Sequence, residues 1–146
     1  GRSCVFKNNV HLIFLTKYRR DVFTLEMLNR MKALFSETCT QMDVELIAFG
    51  SEDDHVHLLV TVPPKLAIVN LVGKLKGQSS YFLRLQYTKQ LRKKLWGNHL
   101  WSPSYCVMSC GGAPLDIVKA YVENQRKLPS QKAIEQAKSV TKKELA

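Results

Sequence analysis

The chain has 146 residues, 45% of them hydrophobic and 23% charged. That fits one globular domain with its own core, and argues against a disordered chain, a disulfide-held miniprotein and, with no apolar run near ~20 residues, a membrane span. Lysine and arginine outnumber aspartate and glutamate by 22 to 12, a formal charge of +10, which favours a polyanionic partner.

The chain opens on Gly1-Arg2-Ser3 without a signal-peptide pattern. Residues 10–16, VHLIFLT, predict a strand, followed by the basic turn Lys17-Tyr18-Arg19-Arg20. Thr24 is placed to cap a helix whose apolar positions are Leu28, Met31, Leu34, Phe35, Cys39 and Met42. Residues 44–50 and 55–62 predict two strands of a hairpin around the polar turn 50–54, stopped by Pro63-Pro64. A second helix is expected from Ala67 to about Tyr87, on a stripe of Leu71, Val72, Leu75, Phe82 and Leu85 weakened by Gly73 and Gly77. Residues 89–98 read as a basic turn. Another strand is expected in 101–110, after Pro103, and Gly111-Gly112 breaks it. Pro114 suits the first turn of a third helix running to about Lys127.

The order β-α-β-β-α-β matches the split βαβ arrangement. The expected class is α+β: a ferredoxin-like or RRM-like antiparallel sheet with an extra C-terminal helix. Helices cover one face of such a sheet and leave the other open. One domain is expected over 1–128, with a polar helix or tail over 129–146.

The charge is unevenly placed. Eight acids fall between Asp21 and Asp54, and the next is Asp116; the interval holds Lys65, Lys74, Lys76, Arg84, Lys89, Arg92, Lys93 and Lys94. An acid-free basic stretch of that length points to nucleic acid rather than a mixed solvated surface. Cys4, Cys39, Cys106 and Cys110 form no CxxC pair. They read as free thiols in a reducing compartment.

Two motifs carry chemistry. On a strand, His55 and His57 point to one face, ~6.6 Å apart, and can converge on a metal ion while Val56 points into a core. Alone, a His-X-His pair is more often two surface histidines on a hairpin. On the last helix Tyr121 and Gln125 are i and i+4 and share a face. Alone they too are an ordinary helix surface. Together the four give two imidazoles, an amide oxygen and a phenol, a set suited to a divalent ion that keeps positions open for phosphate. His11 on the first strand is placed beside this site or packed in the core, and His99 lies in a loop. Glu52, Asp53 and Asp54 crowd the turn before His55; a solvated turn is favoured over a ligand role, although Asp54 can orient a histidine from behind.

The stretches HLIFLTKYRR (11–20), DHVHLLV (54–60), LKGQSS (75–80), LWSPSYCV (100–107) and GGAPLDIVKAYVENQ (111–125) resemble the single-tyrosine transposases of small bacterial and archaeal insertion sequences, within the His-hydrophobe-His nuclease superfamily. The likeness covers about four-fifths of the chain. It implies His55, His57 and Gln125 as ligands of Mg2+ or Mn2+, and Tyr121 as a nucleophile that leaves a 5′-phosphotyrosine and a free 3′-OH. It further implies single-stranded DNA with hairpin ends as substrate, a homodimer in which one subunit's tyrosine helix can complete the other's site, and a cytoplasmic, nucleoid-associated protein.

Lys17, Arg19, Arg20, Lys74, Lys76 and Arg84 are the expected phosphate contacts. Tyr18, Tyr81, Trp96 and Trp101 are the aromatic residues near them, with core packing favoured for Trp101. The competing reading is a non-catalytic single-stranded nucleic-acid-binding module with an RRM-like sheet. It leaves the His/His/Tyr/Gln set unexplained.

Overall fold

The computed structural model describes residues 8–17, 22–52, 54–93, 99–110 and 114–124. Gln125, Arg19, Arg20, Tyr18, Trp96, Cys4 and the expected tail over 129–146 lie outside them. The elements are β1 (Asn8–Thr16), α1 (Leu25–Gln41), β2 (Glu45–Glu52), β3 (His55–Val62), α2 (Ile68–Gln86), α3 (Thr88–Arg92), β4 (Trp101–Ser109) and α4 (Leu115–Asn124).

The four strands form one antiparallel sheet in the order β2-β3-β1-β4. This is the split βαβ topology expected: β1 and β2 are separated by β3, which enters by the β2–β3 hairpin. Thr24 starts α1 as the sequence predicts, with an extended backbone and a hydroxyl that accepts the Met27 N–H at 3.2 Å.

Side-chain alternation divides the sheet into two faces. Leu12 and Phe14 of β1 and Val56, Leu58 and Val60 of β3 point to one side. There they pack with Met27, Met31, Leu34 and Phe35 of α1 and Leu71, Val72, Leu75 and Leu83 of α2. His11, Ile13, Leu15, His55, His57 and Leu59 point to the other side and are buried as well. Strands buried on both faces read as continuous apolar runs, which is how HLIFL and HLLV appear. The cover on this second face includes α4, whose Val118 and Val122 pack on Ala48 of β2 and Leu59 of β3.

Trp101 belongs to the core, as expected. Its ring meets Phe14, Phe23 and Phe35 at centroid distances of 5.8, 5.5 and 6.3 Å, and its Nε1–H donates to Ser79 Oγ at 2.9 Å. Ser79 explains where the α2 stripe departs from expectation. The buried positions are Leu71, Val72, Leu75, Ser79 and Leu83, while Phe82 and Leu85 are exposed. A serine in the stripe hides the true face from a reading by hydrophobicity alone.

Three other boundaries differ. β2 continues to Glu52, because Ser51 pairs with Val56 and Glu52 with His55, so the hairpin is tighter than a 50–54 turn. β4 includes Pro103, which an edge strand tolerates, and the β1–β4 register slips between Phe14 and Thr16. The basic stretch after Tyr87 begins with the short helix α3, anchored by buried Leu91.

Candidate active site

The site is built on β3. His55 and His57 are 2% and 0% exposed, and their ring centroids lie 4.9 Å apart in an edge-on arrangement. Opposite them on β2 stand Glu52, paired with His55, and Gly50, paired with His57. A glycine opposite His57 places no side chain against its ring.

Each ring has its Nδ1 engaged. His55 Nδ1 lies 2.7 Å from Asp54 Oδ1. A carboxylate accepts only, so Nδ1 carries the proton, and in the neutral ring Nε2 then presents a lone pair. Asp54 is itself tethered: its backbone carbonyl accepts from the Thr16 N–H at 2.9 Å and from the Thr16 hydroxyl at 3.2 Å. The end of β1 thereby fixes the carboxylate behind the histidine. His55 Nε2 is buried without a hydrogen-bond partner, and Glu52 Oε2 stands 3.4 Å from it. His57 Nδ1 lies 2.8 Å from His11 Nε2, at a ring-centroid separation of 5.0 Å. Burial lowers the pKa of His11 to about 4, which makes it a neutral imidazole near pH 7.

The donor chemistry suits a divalent cation. Two buried imidazoles face one way, one with Nε2 set by a carboxylate at its back and a second carboxylate nearby. Among the described residues, no group of three His, Cys, Asp or Glu side chains is arranged to hold a metal ion.

Tyr121 is half-buried on α4. That helix lies on the histidine face through Val118 and Val122, and Leu59, which they touch, is two residues from His57 on the same side of β3. The strand periodicity that groups the histidines therefore also brings the tyrosine helix to their face.

A family profile described as "Transposase IS200 like" matches residues 4–125. The chain belongs to the IS200-like transposase family. It is 36% identical over 125 residues to the ISDra2 transposase TnpA of Deinococcus radiodurans, covering 86% of this chain and 89% of that protein. It is 30% identical over 115 residues to the transposase for insertion sequence element IS200 of Salmonella typhimurium, covering 79% and 74%. A crystal structure described as that of a transposase from Deinococcus radiodurans R1 superposes with a TM-score of 0.69 at 36% identity, over 86% of this chain and 95% of that one. The fold is also shared, at 13% identity and a TM-score of 0.55, with a REP-associated tyrosine transposase bound to a REP hairpin, over 84% and 67% of the two chains.

Membership in the IS200-like family makes this chain a DNA-binding protein of transposition. Among its described residues no helix is long and apolar enough to cross a membrane. The expected phosphate contacts are differently placed within it. Lys74 is exposed on α2. Lys76 turns into the cleft between α2 and β4, where its ammonium donates to Ser102 O and Ser104 O at 2.7 and 3.0 Å and sits 5.5 and 5.4 Å from the Phe14 and Tyr105 rings. Arg84 Nε donates to Ser80 Oγ at 3.1 Å, and the Lys17 N–H to Leu100 O at 2.8 Å. Tyr81 is exposed beside Phe82, and His99 is exposed in its loop. Cys39 is buried, with its thiol pushed up to about 12 by desolvation; Cys39, Cys106 and Cys110 are free thiols.

Glu52, expected in a solvated turn, instead ends β2 at the side of His55. The contact between His11 and His57 depends on β1 lying beside β3, which no local pattern encodes.

Proposed function

We propose that the chain is a metal-dependent transposase that cleaves and rejoins single-stranded DNA at the ends of an insertion sequence. His55, His57 and Gln125 hold the metal and Tyr121 is the nucleophile. The observation that carries this reading is the buried histidine pair with the tyrosine helix packed on the same sheet face. A divalent ion there, Mg2+ or Mn2+, would supply Lewis-acid polarisation of a non-bridging phosphate oxygen.

The chain's own residues do the rest. Tyr121 Oη attacks phosphorus in line. The O–P bond forms as the bond to the 3′ oxygen breaks, and the proton lost by the phenol is matched by one gained by the leaving 3′ oxygen. A 5′-phosphotyrosine and a free 3′-OH result. Attack by a second 3′-OH reverses the chemistry and joins new ends, because a covalent intermediate keeps the phosphodiester's energy. Asp54 holds His55 in the ligating tautomer throughout.

The DNA is recognised as single strands folded into hairpins, with Lys17, Arg19, Arg20, Lys74 and Arg84 as phosphate contacts and Lys76 as a positive charge set in the α2–β4 cleft. An RRM-like module would bind bases on the open sheet face, but here α4 packs over the β2–β3 side of that face. The active assembly is a homodimer, in which the tyrosine helix of one subunit can complete the site of the other. Mixing His57→Ala with Tyr121→Phe protein tests that arrangement: cleavage returns in the mixture if sites are shared, and stays absent in a verified heterodimer if they are not.

The function is tested with labelled single-stranded DNA carrying the element's own ends. Strand cleavage is expected with Mn2+ and is abolished by chelator and by His57→Ala. Salt-sensitive binding without cleavage would instead favour the non-catalytic binding module.

A further inference from the structure

His57 has its Nδ1 against another imidazole, not a carboxylate. His11 Nε2 lies 2.8 Å from it, and both rings are buried. That bond permits two proton placements. If His11 Nε2–H donates, His57 Nδ1 accepts and the neutral ring carries its proton on Nε2, where it cannot ligate. If His57 Nδ1–H donates, His11 Nε2 accepts and His57 Nε2 presents a lone pair. Coordination through Nε2 requires the second placement.

We propose that His11 is a positioning residue for the metal site: it accepts the Nδ1–H of His57, fixes the ring and its tautomer, and thereby presents Nε2 to the cation. The inference rests on the reading of His57 as a metal ligand and extends it to a residue on a different strand.

Packing alone accounts poorly for His11. Its Nδ1 is buried with no hydrogen-bond partner. A leucine or methionine would fill the position without burying an unsatisfied nitrogen. The hydrogen bond to His57 is what the imidazole contributes that an apolar side chain would not. The two histidines of the pair are then held by different devices: Asp54, adjacent in sequence, behind His55, and His11, across the β1–β3 ladder, behind His57.

The test uses the full chain and Mn2+ alone, without DNA, so that the readout is metal affinity rather than activity. His11→Leu is expected to weaken Mn2+ binding by about 10- to 100-fold, the usual effect of removing a partner behind a ligand. His11→Gln, whose amide oxygen can take the place of Nε2 as acceptor, is expected to recover most of it. His57→Ala is the control. If it leaves Mn2+ affinity unchanged, the ligand reading of His57 fails and this proposal falls with it. If it weakens binding while His11→Leu does not, only the role of His11 is overturned. Should His11→Leu not fold, nitrogen-15 NMR of the unaltered protein with Mg2+ decides: a protonated His57 Nδ1 supports the proposal, and a protonated His57 Nε2 overturns it.

Discussion

The Asp54 carboxylate meets His55 Nδ1 at 2.7 Å, while the Asp54 carbonyl is held by the backbone and hydroxyl of Thr16. One residue thus couples the end of β1 to the orientation of a ligand candidate on β3. Replacing it separates charge from geometry. Asp54→Asn keeps an oxygen that can accept from Nδ1–H, whereas Asp54→Ala removes the acceptor. Isothermal titration with Mn2+ should show about a 10- to 100-fold loss of affinity for the alanine variant and a smaller loss for the asparagine one. Equal affinities across all three proteins would show that Asp54 does not act through His55.

Ser79 and Trp101 make the corresponding test of the core. The indole N–H donates to Ser79 Oγ, which itself lies 2.7 Å from Leu75 O. Ser79→Ala leaves a buried donor unsatisfied and should destabilise the fold by ~1–3 kcal/mol in urea unfolding. A variant as stable as the parent would mean that the indole finds another acceptor.

Much of the fold is legible because its signals are local. Thr24 caps α1, Pro63-Pro64 follows β3, and alternation along HVHLLV places the histidines on one face and the valines in the core. The parts that were not legible are non-local. Ser79 is buried as the partner of a tryptophan 22 residues away, so it breaks the apolar stripe of α2 that would otherwise have excluded Phe82 and Leu85. Pro103 sits inside β4 because that strand is at the sheet edge. Within the site, Asp54 behind His55 was readable from adjacency. The approach of His11 to His57 needed the order and register of β1 and β3.

Lys74 and Lys76 stand two residues apart and should behave differently. Lys74 is exposed, and Lys74→Ala should leave stability unchanged while reducing the salt slope of single-stranded DNA binding by roughly 0.7 if it contacts one phosphate. Lys76 is engaged with the Ser102 and Ser104 carbonyls. Lys76→Met should destabilise the protein by ~2 kcal/mol, because a charged donor to two carbonyls is removed. Urea unfolding and binding titrations at several salt concentrations distinguish the two, and interchangeable behaviour would contradict the placement of Lys76.

Cys39 links burial to alkaline stability. Its thiol is raised from 9.0 to about 12 by desolvation. The unfolded chain therefore loses this proton above pH 9 while the native chain keeps it until about pH 12, so ionisation favours unfolding as pH rises through that window. Native stability should fall on the order of 1 kcal/mol per pH unit from this group. Comparison with Cys39→Ala isolates the effect, because the variant should lose less stability between pH 9 and 10.5. Parallel pH profiles would show that Cys39 is not desolvated in the native state. The native thiol should also resist iodoacetamide at pH 8, since the thiolate is the reactive form.

If Tyr121 is the nucleophile, it becomes covalently joined to DNA. The direct measurement is mass spectrometry of peptides from protein trapped on single-stranded DNA with Mn2+, after nuclease and protease digestion. A 5′-phosphate-linked nucleotide is expected on the peptide containing Tyr121, absent from Tyr121→Phe and from chelated samples. Cleaved DNA carrying a free 5′-phosphate and no adduct at any time point, or an adduct on another residue, would contradict it.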